Sequence, residues 1–301
     1  MDRLEAMTIL LRVVEQGSFS AASRAVGMPL ATVSRKVSEL EAHLGTKLLA
    51  RTTRKVTLTE SGAAYVASAR RILDELDETE RIAAGEFRAP RGELTLTAPV
   101  FFGRRHVLPI VAEFLAAYPE INVRLHLSDR NLHLIDDHVD LAVRIGRLPG
   151  SLMVATRVGT MRTVVCASPK LLAEHGTPAT PEALMTLPCV NFDVLSPAGT
   201  WSFRLKGATA MTEVPILPRL AVSTAEAAVW AAGQGVGATR VLHYQCADAV
   251  RDGLLSIILS DFELAPLPVH LIHAGSGALP WKMRLFLDFA SVRLRQSLAS
   301  L

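Results

Sequence analysis

Cysteine is scarce, and its spacing excludes most of what cysteine can do. The three residues, Cys166, Cys189 and Cys246, lie far apart and are odd in number. They build neither a disulfide framework nor a zinc site, and they read as reduced thiols of a cytoplasmic protein. Cys166 sits in an apolar run and is expected in a core, with no cysteine near it in sequence for redox pairing. Long apolar runs are also missing. No segment approaches the roughly 18 uninterrupted apolar residues of a membrane helix. The alanine-rich stretch from Ala221 to Ala238 is broken by Ser223, Thr224, Glu226, Gln234 and glycines. The first residues include Asp2 and Glu5 and no apolar stretch, so no export signal is expected. Charge of either sign is in small excess: 32 Lys and Arg against 29 Asp and Glu leave +3. A balance so near zero points by itself to no partner.

The signatures of catalysis are equally thin. Ala274-Gly275-Ser276-Gly277-Ala278 lacks the outer glycines of a nucleophile elbow. His126, His133 and His138, with Asp136 and Asp137, place no ligand trio on one face. They read as solvated or hydrogen-bonding groups rather than metal ligands. His270 and His273 are three apart in an expected strand and so point to opposite faces. The run Gly233-Gln234-Gly235-Val236-Gly237-Ala238 imitates a dinucleotide fingerprint, but it follows an expected helix and leads into a strand. A phosphate-binding loop has the reverse order. With no carboxylate pair or triad in a supporting context, no enzyme, cofactor or metal is expected.

What the chain does have is concentrated between Glu15 and Arg54. Ser18 or Ser20 can N-cap a short helix through Val26, Gly27 suits the left-handed residue that ends it, and Pro29 forces an extended turn. In the following helix Val33, Val37, Leu40 and Leu44 recur at helical spacing as one buried stripe. The opposite face carries Ala31, Arg35, Ser38 and Ala42, flanked by Thr32, Ser34 and Glu39. Small residues there allow close approach, and Arg35 can reach a guanine edge or a phosphate. Arg51, Arg54 and Lys55 follow in a basic hairpin, as a wing that meets phosphates requires. This is the build of a winged helix-turn-helix, which lays a helix in a DNA major groove.

The chain resembles the LysR-type transcriptional regulators of bacteria. The resemblance is carried by Met1-Asp2-Arg3-Leu4-Glu5-Ala6-Met7, Gly17-Ser18-Phe19-Ser20-Ala21-Ala22 and Ala31-Thr32-Val33-Ser34-Arg35-Lys36-Val37. It continues through the run from Leu40 to Arg54 and Leu58-Thr59-Glu60-Ser61-Gly62, and more weakly to the C-terminus. It implies that Ser18, Ser20, Leu30, Ala31, Thr32, Ser34, Arg35, Lys36, Ser38, Arg51, Thr53, Arg54 and Lys55 meet double-stranded DNA at an operator. Many members have Gln followed by Pro or Ser where this chain has Leu30 and Ala31, so a base-reading amide is missing. It also implies a dimer through a linker helix, commonly a tetramer, contact with RNA polymerase, and a small organic effector.

Charge and pattern divide the chain accordingly. Residues 1–58 hold nine Lys and Arg against five acids, whereas residues 59–92 hold five against seven and residues 93–301 hold 18 against 17. The positive excess thus lies on the proposed DNA-binding unit. Its first helix is expected over Arg3–Gln16, capped by Asp2 and ended by Gly17, with Leu4, Met7, Leu11 and Val14 as its buried stripe. A long helix is expected from Thr57 or Thr59 to Phe87, opened by a Thr57–Glu60 capping box. Gly62, Val66, Ala69, Leu73, Leu76, Glu80 and Ala83 form its heptad seam, which points to a dimeric coiled coil. The fold class expected is an all-α winged helix-turn-helix (1–58), a linker helix and hinge (59–91), and an α/β regulatory domain (92–301).

In that last domain, strands at Leu94–Ala98, Asn122–Leu127 and Asp140–Ile145 alternate with a helix at Arg104–Tyr118, and a mostly parallel sheet is expected. A second α/β set starts near Arg162, and the chain returns through Val269–His273 and a helix from Pro280. The resemblance makes these two lobes built like a periplasmic solute-binding protein: lobe I at about 92–161 and 267–301, lobe II at about 162–266. Ligands of open α/β sheets sit at the carboxyl ends of strands. The expected effector residues are therefore Pro99, Val100, Phe101, Phe102, Ser128, Ile145, Gly146, Ser223 and Thr224, with Trp201 closing the second lobe. Phe101 and Phe102 replace the Ser or Thr of many members, and Thr239 and Arg240 replace an apolar pair.

Overall fold

A computed structural model describes residues 1–51, 56–83, 90–129, 134, 137, 139–148, 153–196, 199–205, 211–274 and 279–299, without the side chains of Arg51, Glu78 and residues 81–83. Two compact units emerge, Met1–Gly92 and Glu93–Leu301.

The first unit contains α1 (Arg3–Gln16), α2 (Phe19–Val26), α3 (Leu30–Leu44), β1 (Leu49–Arg51), β2 (Val56–Leu58) and α4 (Glu60–Ala83). The Asp2 carboxylate caps α1 by accepting from the N–H groups of Leu4 at 3.0 Å and Glu5 at 3.2 Å. Gly17 closes the helix in the left-handed region at φ 61°. The buried stripe differs from the expected one: Ala6, Ile9, Leu10 and Val13 are buried, Leu4 is exposed, and Met7, Leu11 and Val14 are half-buried. Two apolar stripes of equal period run along this helix. The small Ala6 marks the one that α2, α3 and α4 approach.

On α3, Val33, Val37 and Leu40 are buried as the periodicity predicts, whereas Leu44 ends the helix exposed. Burying each of the three contributes about 1.5–3 kcal/mol.

Of the two starts expected for α4, the helix takes Thr59, and Thr57 opens no capping box. Thr57 lies in β2 opposite Ala50, and Thr59 caps the helix by accepting from the Gly62 N–H at 2.9 Å. A Cβ added to Gly62 would lie 1.9 Å from the Leu48 carbonyl oxygen, so this turn is pressed onto the strand before it. Gly62, Val66 and Ala69 are buried within their own unit, Val66 in one core with Val33 and Leu40. Of the expected seam that leaves Leu73 and Leu76, which are half-buried, beside an exposed Ile72. The expected continuation to Phe87 lies outside the described residues.

The second unit runs β3 (Gly92–Ala98), α5 (Val100–Phe102), a π turn (Gly103–Val107), α6 (Leu108–Ala117), β4 (Ile121–Leu127), β5 (Leu141–Ile145), β6 (Met153–Met161), β7 (Thr163–Ala167) and α7 (Pro169–His175). It continues with β8 (Pro188–Phe192), β9 (Thr200–Arg204), β10 (Met211–Pro215), β11 (Leu217–Val222), α8 (Ala225–Gly233), β12 (Ala238–Leu242), α9 (His243–Arg251), β13 (Ser256–Ile258), β14 (Leu267–Ala274) and α10 (Trp281–Ala299). Two five-stranded sheets form, in the orders β4-β3-β5-β14-β6 and β11-β8-β12-β7-β13. In each, one strand, β14 or β7, runs against both of its neighbours. β3 and β5 are parallel, but the returning β14 is antiparallel to both β5 and β6. In the second sheet β11, β8 and β12 are parallel, β7 is antiparallel to β12, and β13, antiparallel to β7, runs with the first three again. The chain crosses between lobes twice, and each crossing returns a strand in the opposite sense.

Candidate nucleic-acid interface and effector cleft

The turn between α2 and α3 is built by a few bonds. The Ser18 hydroxyl caps the start of α2 by accepting from the Ala21 N–H at 3.4 Å, and at its end the Ser23 hydroxyl donates to the Met28 carbonyl at 2.5 Å. Gly27 takes φ 67°, which a side chain would resist, and Pro29 stands at the head of α3. With its apolar stripe buried, α3 leaves Leu30, Ala31 and Arg35 exposed, and Thr32, Ser34 and Ser38 half-buried beside them. Ser20 is exposed on α2. Arg35 is 63% exposed and pairs with Glu39 one turn along at 2.7 Å. Lys36 turns from this face and pairs with Glu5 of α1, so its charge is already compensated. Behind α3, β1 and β2 form an antiparallel hairpin with Ala50 opposite Thr57. Its tip, with Thr53, Arg54 and Lys55, lies outside the described residues, as does the side chain of Arg51.

Sequence reasoning missed the residue that joins α3 to the hairpin. Glu41 is 3% exposed, and one carboxylate oxygen accepts from the N–H groups of Leu48 at 2.9 Å and Leu49 at 3.1 Å. Lys47 donates to the other oxygen at 2.8 Å. Burial pushes the Glu41 carboxyl up, but Lys47 and the two backbone donors outweigh it and hold it below the ordinary carboxylate value. A charged residue on a buried stripe was the available signal.

In the second unit, the expected effector residues divide. Phe102 and Trp201 are fully buried and belong to the cores of the first and second lobes. Trp201 donates its indole N–H to Asn191 at 3.5 Å. Neither side chain can meet a ligand in a cleft, because packing has already satisfied it. The others stay near a surface. Val100 is exposed and its N–H donates to Asp129 at 3.0 Å, so a carboxylate of the protein occupies this helix start. The Ser128 N–H donates to the Ala98 carbonyl at 3.0 Å, and the Gly146 N–H to that of Pro268 at 2.9 Å. Pro99 and Ile145 are half-buried. Ser223 and Thr224 are exposed, and the Thr224 hydroxyl caps α8 by accepting from the Ala227 N–H at 3.3 Å. Arg104, just after α5, reaches Glu226 in the first turn of α8 at 3.4 Å. That pair is too exposed to hold much energy, but it shows that the Phe101 and Thr224 segments face one another across the two lobes.

Beside this mouth the lobes are tied. Tyr244, at the start of α9, is buried in the first lobe's core, with ring centroids 5.7 Å from Phe101 and 5.5 Å from Phe102. Arg105 holds Asp248 of α9 with two bonds, one of them 3.1 Å. Both Arg105 and His106 lie in the π turn, an irregularity that often marks functional positions. A Cβ at Gly103 would lie 2.2 Å from the Cδ2 of Leu127, so a larger residue there would push that side chain aside. His106 is 5% exposed, and its Nδ1 is 2.8 Å from the Ser297 hydroxyl. Burial, with Arg105's charge adding to it, pushes the imidazole down to about 4. Cys166 of β7 and Cys246 of α9 share one core, a neighbourhood that sequence separation concealed, and the Cys246 thiol donates to the His243 carbonyl at 3.4 Å. Among the described residues no three His, Cys, Asp or Glu groups could hold a metal ion, and no helix is long and apolar enough to cross a membrane. His133, Asp136 and His138 lie outside those residues.

A small-headed α3 held proud of a helical core, with a hairpin behind it, joined to a two-lobed α/β unit, defines a DNA-binding regulator with a ligand-sensing domain. Residues 4–63 match the model of the bacterial regulatory helix-turn-helix protein of the lysR family, and residues 87–295 match that of the LysR substrate binding domain. An HTH-type transcriptional regulator of Xanthomonas campestris is 38% identical over 95% of this chain and 84% of its own length. The solved structure of CrgA, a LysR-type transcriptional regulator from Neisseria meningitidis, is 32% identical, covers 96% of this chain and 98% of its own, and superimposes with a TM-score of 0.61. The full-length structure of the Vibrio cholerae virulence activator AphB is 26% identical over 95% of this chain and 98% of its own, with a TM-score of 0.60. The chain belongs to the LysR family. It is a DNA-binding transcriptional regulator with an effector-binding domain, not an enzyme.

Proposed function

We propose that α3 lies in the major groove and presents Leu30, Ala31, Thr32, Ser34, Arg35 and Ser38 to an operator. Ser18 and Ser20 lie against the backbone at the head of α2, and Arg51, Thr53, Arg54 and Lys55 of the wing meet phosphates. The observation that carries this reading is the exposed Arg35 among small residues on a helix whose other face is buried. The functional divisions are a DNA-binding domain at 1–58, a linker at 59–91 and a regulatory domain at 92–301. The last comprises lobe I at about 92–161 and 267–301 and lobe II at about 162–266. Leu73 and Leu76 pair two linker helices, two such dimers make a tetramer, and the assembly acts in the cytoplasm, in contact with RNA polymerase. A small organic effector enters the mouth formed by Pro99, Val100, Phe101, Ser128, Ile145, Gly146, Ser223 and Thr224. The test is a gel shift with DNA from upstream of the chain's own gene. A specific shift that disappears in Arg35→Ala is expected. A shift no stronger than with unrelated DNA of equal length would refute the reading.

A further inference from the structure

Arg240 is a half-buried cation to which, among the described residues, no carboxylate is bound. It lies on β12, between Thr239, whose hydroxyl donates to the Val190 carbonyl at 3.0 Å, and the buried Val241. Its one described side-chain hydrogen bond goes from Nη1 to the Ser196 hydroxyl at 3.3 Å. Burial alone lowers the guanidinium to about 10, with no acidic neighbour counteracting it. A guanidinium has five donors in a planar fork that matches an oxyanion. Drawing such a charge partly out of water without a counter-ion is costly, and an anion seated on it would offset that cost.

Its place in the fold gives the use. β11, β8 and β12 are parallel, so their carboxyl ends share one edge. Ala238 pairs with Cys189 and Thr239 with Val190, which puts Arg240 level with Asn191, one residue from the end of β8. Ser223 and Thr224 follow the carboxyl end of β11 on that same edge. Two residues beyond Arg240, Leu242 joins the first lobe's core, so β12 ends at the junction of the lobes. Ser196 is 5% exposed, and its carbonyl accepts from the Asn191 side chain at 3.0 Å, which fixes the one group Arg240 touches. The lobe I side offers the opposite character: Asp129 already occupies the N–H of Val100 there.

We infer that Arg240 is the anion-recognition residue of the effector site, taking an oxyanion of the ligand, carboxylate or phosphate, with Ser196 beside it. This rests on the effector reading above and adds the ligand's chemical class: an organic anion whose charged end binds the second lobe. Its apolar body lies toward Phe101 of the first.

The experiment uses the full chain. Melting is followed with benzoate, phenyl phosphate and the neutral benzyl alcohol, in wild type, Arg240→Met and Arg240→Lys. An anion at about ten times its Kd raises Tm by roughly 3–6 °C. The expected result is a rise with benzoate or phenyl phosphate and none with benzyl alcohol. The rise is lost in Arg240→Met and partly kept in Arg240→Lys. Which anion acts tells carboxylate from phosphate. Without ligand, Arg240→Met melts no lower than wild type, because it removes a half-buried charge whose one described side-chain bond goes to a neutral hydroxyl. Three outcomes overturn the inference: no anion stabilises wild type, Arg240→Met responds as wild type does, or Arg240→Met melts several degrees lower without ligand. Gel shifts on the same preparations keep the two ideas apart. Specific DNA binding without an anion response leaves the regulator reading intact and removes this inference, whereas loss of specific binding in wild type removes that reading.

Discussion

Removing the Glu41 carboxylate tests how the DNA-binding unit is held together. In Glu41→Ala two backbone N–H groups, of Leu48 and Leu49, lose their acceptor. Both residues are nearly inaccessible, at 1% and 4% exposure, so water replaces the lost oxygen poorly. An unsatisfied buried donor costs roughly 1–3 kcal/mol, and two cost about 2–6 kcal/mol. Lys47 is 75% exposed, so the loss of its ion pair adds little. Whole domains are stable by only about 5–15 kcal/mol, so the variant should lose a large part of the first unit's margin. The three tryptophans, Trp201, Trp230 and Trp281, all lie in the second unit. Tryptophan fluorescence therefore follows that unit alone, and far-ultraviolet circular dichroism follows both. Urea unfolding of Glu41→Ala should advance an early dichroism transition while the fluorescence midpoint stays in place. Glu41→Gln keeps an acceptor for the two N–H groups and should lose much less. The carboxyl lies below its ordinary value, so its contribution is present above the unfolded carboxylate range near 4.3 and is lost as pH falls below it. Coincident shifts of both signals, or an unmoved dichroism curve, would refute the reasoning.

Arg35→Ala should weaken specific operator binding by roughly 1–3 kcal/mol, the range for a bidentate base contact, whereas Glu39→Gln frees Arg35 and should tighten binding to all DNA. Titrations at fixed salt check both, and an unchanged operator affinity in Arg35→Ala would remove it from the reading face. Leu73→Asp with Leu76→Asp should split the linker-helix pair without unfolding the first unit, since Gly62, Val66 and Ala69 already pack within one chain. Light scattering at micromolar concentration should show a smaller particle, and an unchanged mass would contradict the seam. His106 is held near 4 against an ordinary 6.5. The unfolded chain therefore binds the proton first, and stability falls between pH 6.5 and 4 by at most about 3 kcal/mol. His106→Asn should flatten the fluorescence-detected melting profile across that window, and an equal slope would refute it.

The helices and many strands of this chain are legible in its sequence because caps and periodicity are local. Asp2, Gly17, Ser18 and Gly27 act as their types require. What misleads is anything settled by a neighbour distant in sequence. On α1 two stripes satisfy the same period, and only the approach of α2, α3 and α4 selects the one with Ala6. The seam of α4 reads as one heptad ladder, yet Leu48 claims its first half. Phe102 and Trp201 lie beside the mouth in sequence and in the cores in space. Cys166 and Cys246 stand 80 positions apart and share one core. Glu41 shows only as a charge on a buried stripe, and Arg240 as a departure from an apolar pair. In both cases the residue that breaks the local pattern is the one with a specific partner or use, as expected where function overrides local consistency.

How a ligand signal leaves the cleft is constrained by α9. The chain entering it belongs to both lobes: Leu242, the last residue of β12, and Tyr244 lie in the core of the first, and Cys246 in that of the second. Asp248, further along, is held by Arg105 in the π turn. Separating the lobes at this end would expose Tyr244, at about 1.5–3 kcal/mol for a large side chain, and would strip a two-bond ion pair as well. Bending about α9 costs neither. The low-cost motion is therefore one in which the α9 side acts as the pivot and the exposed Arg104–Glu226 side opens and closes. A ligand shifts that equilibrium only by the difference between its affinities for the two positions. A group bound solely to one lobe supplies no difference. A molecule with its charged end on Arg240 and its body on Phe101 touches both, and its length then decides which position it favours.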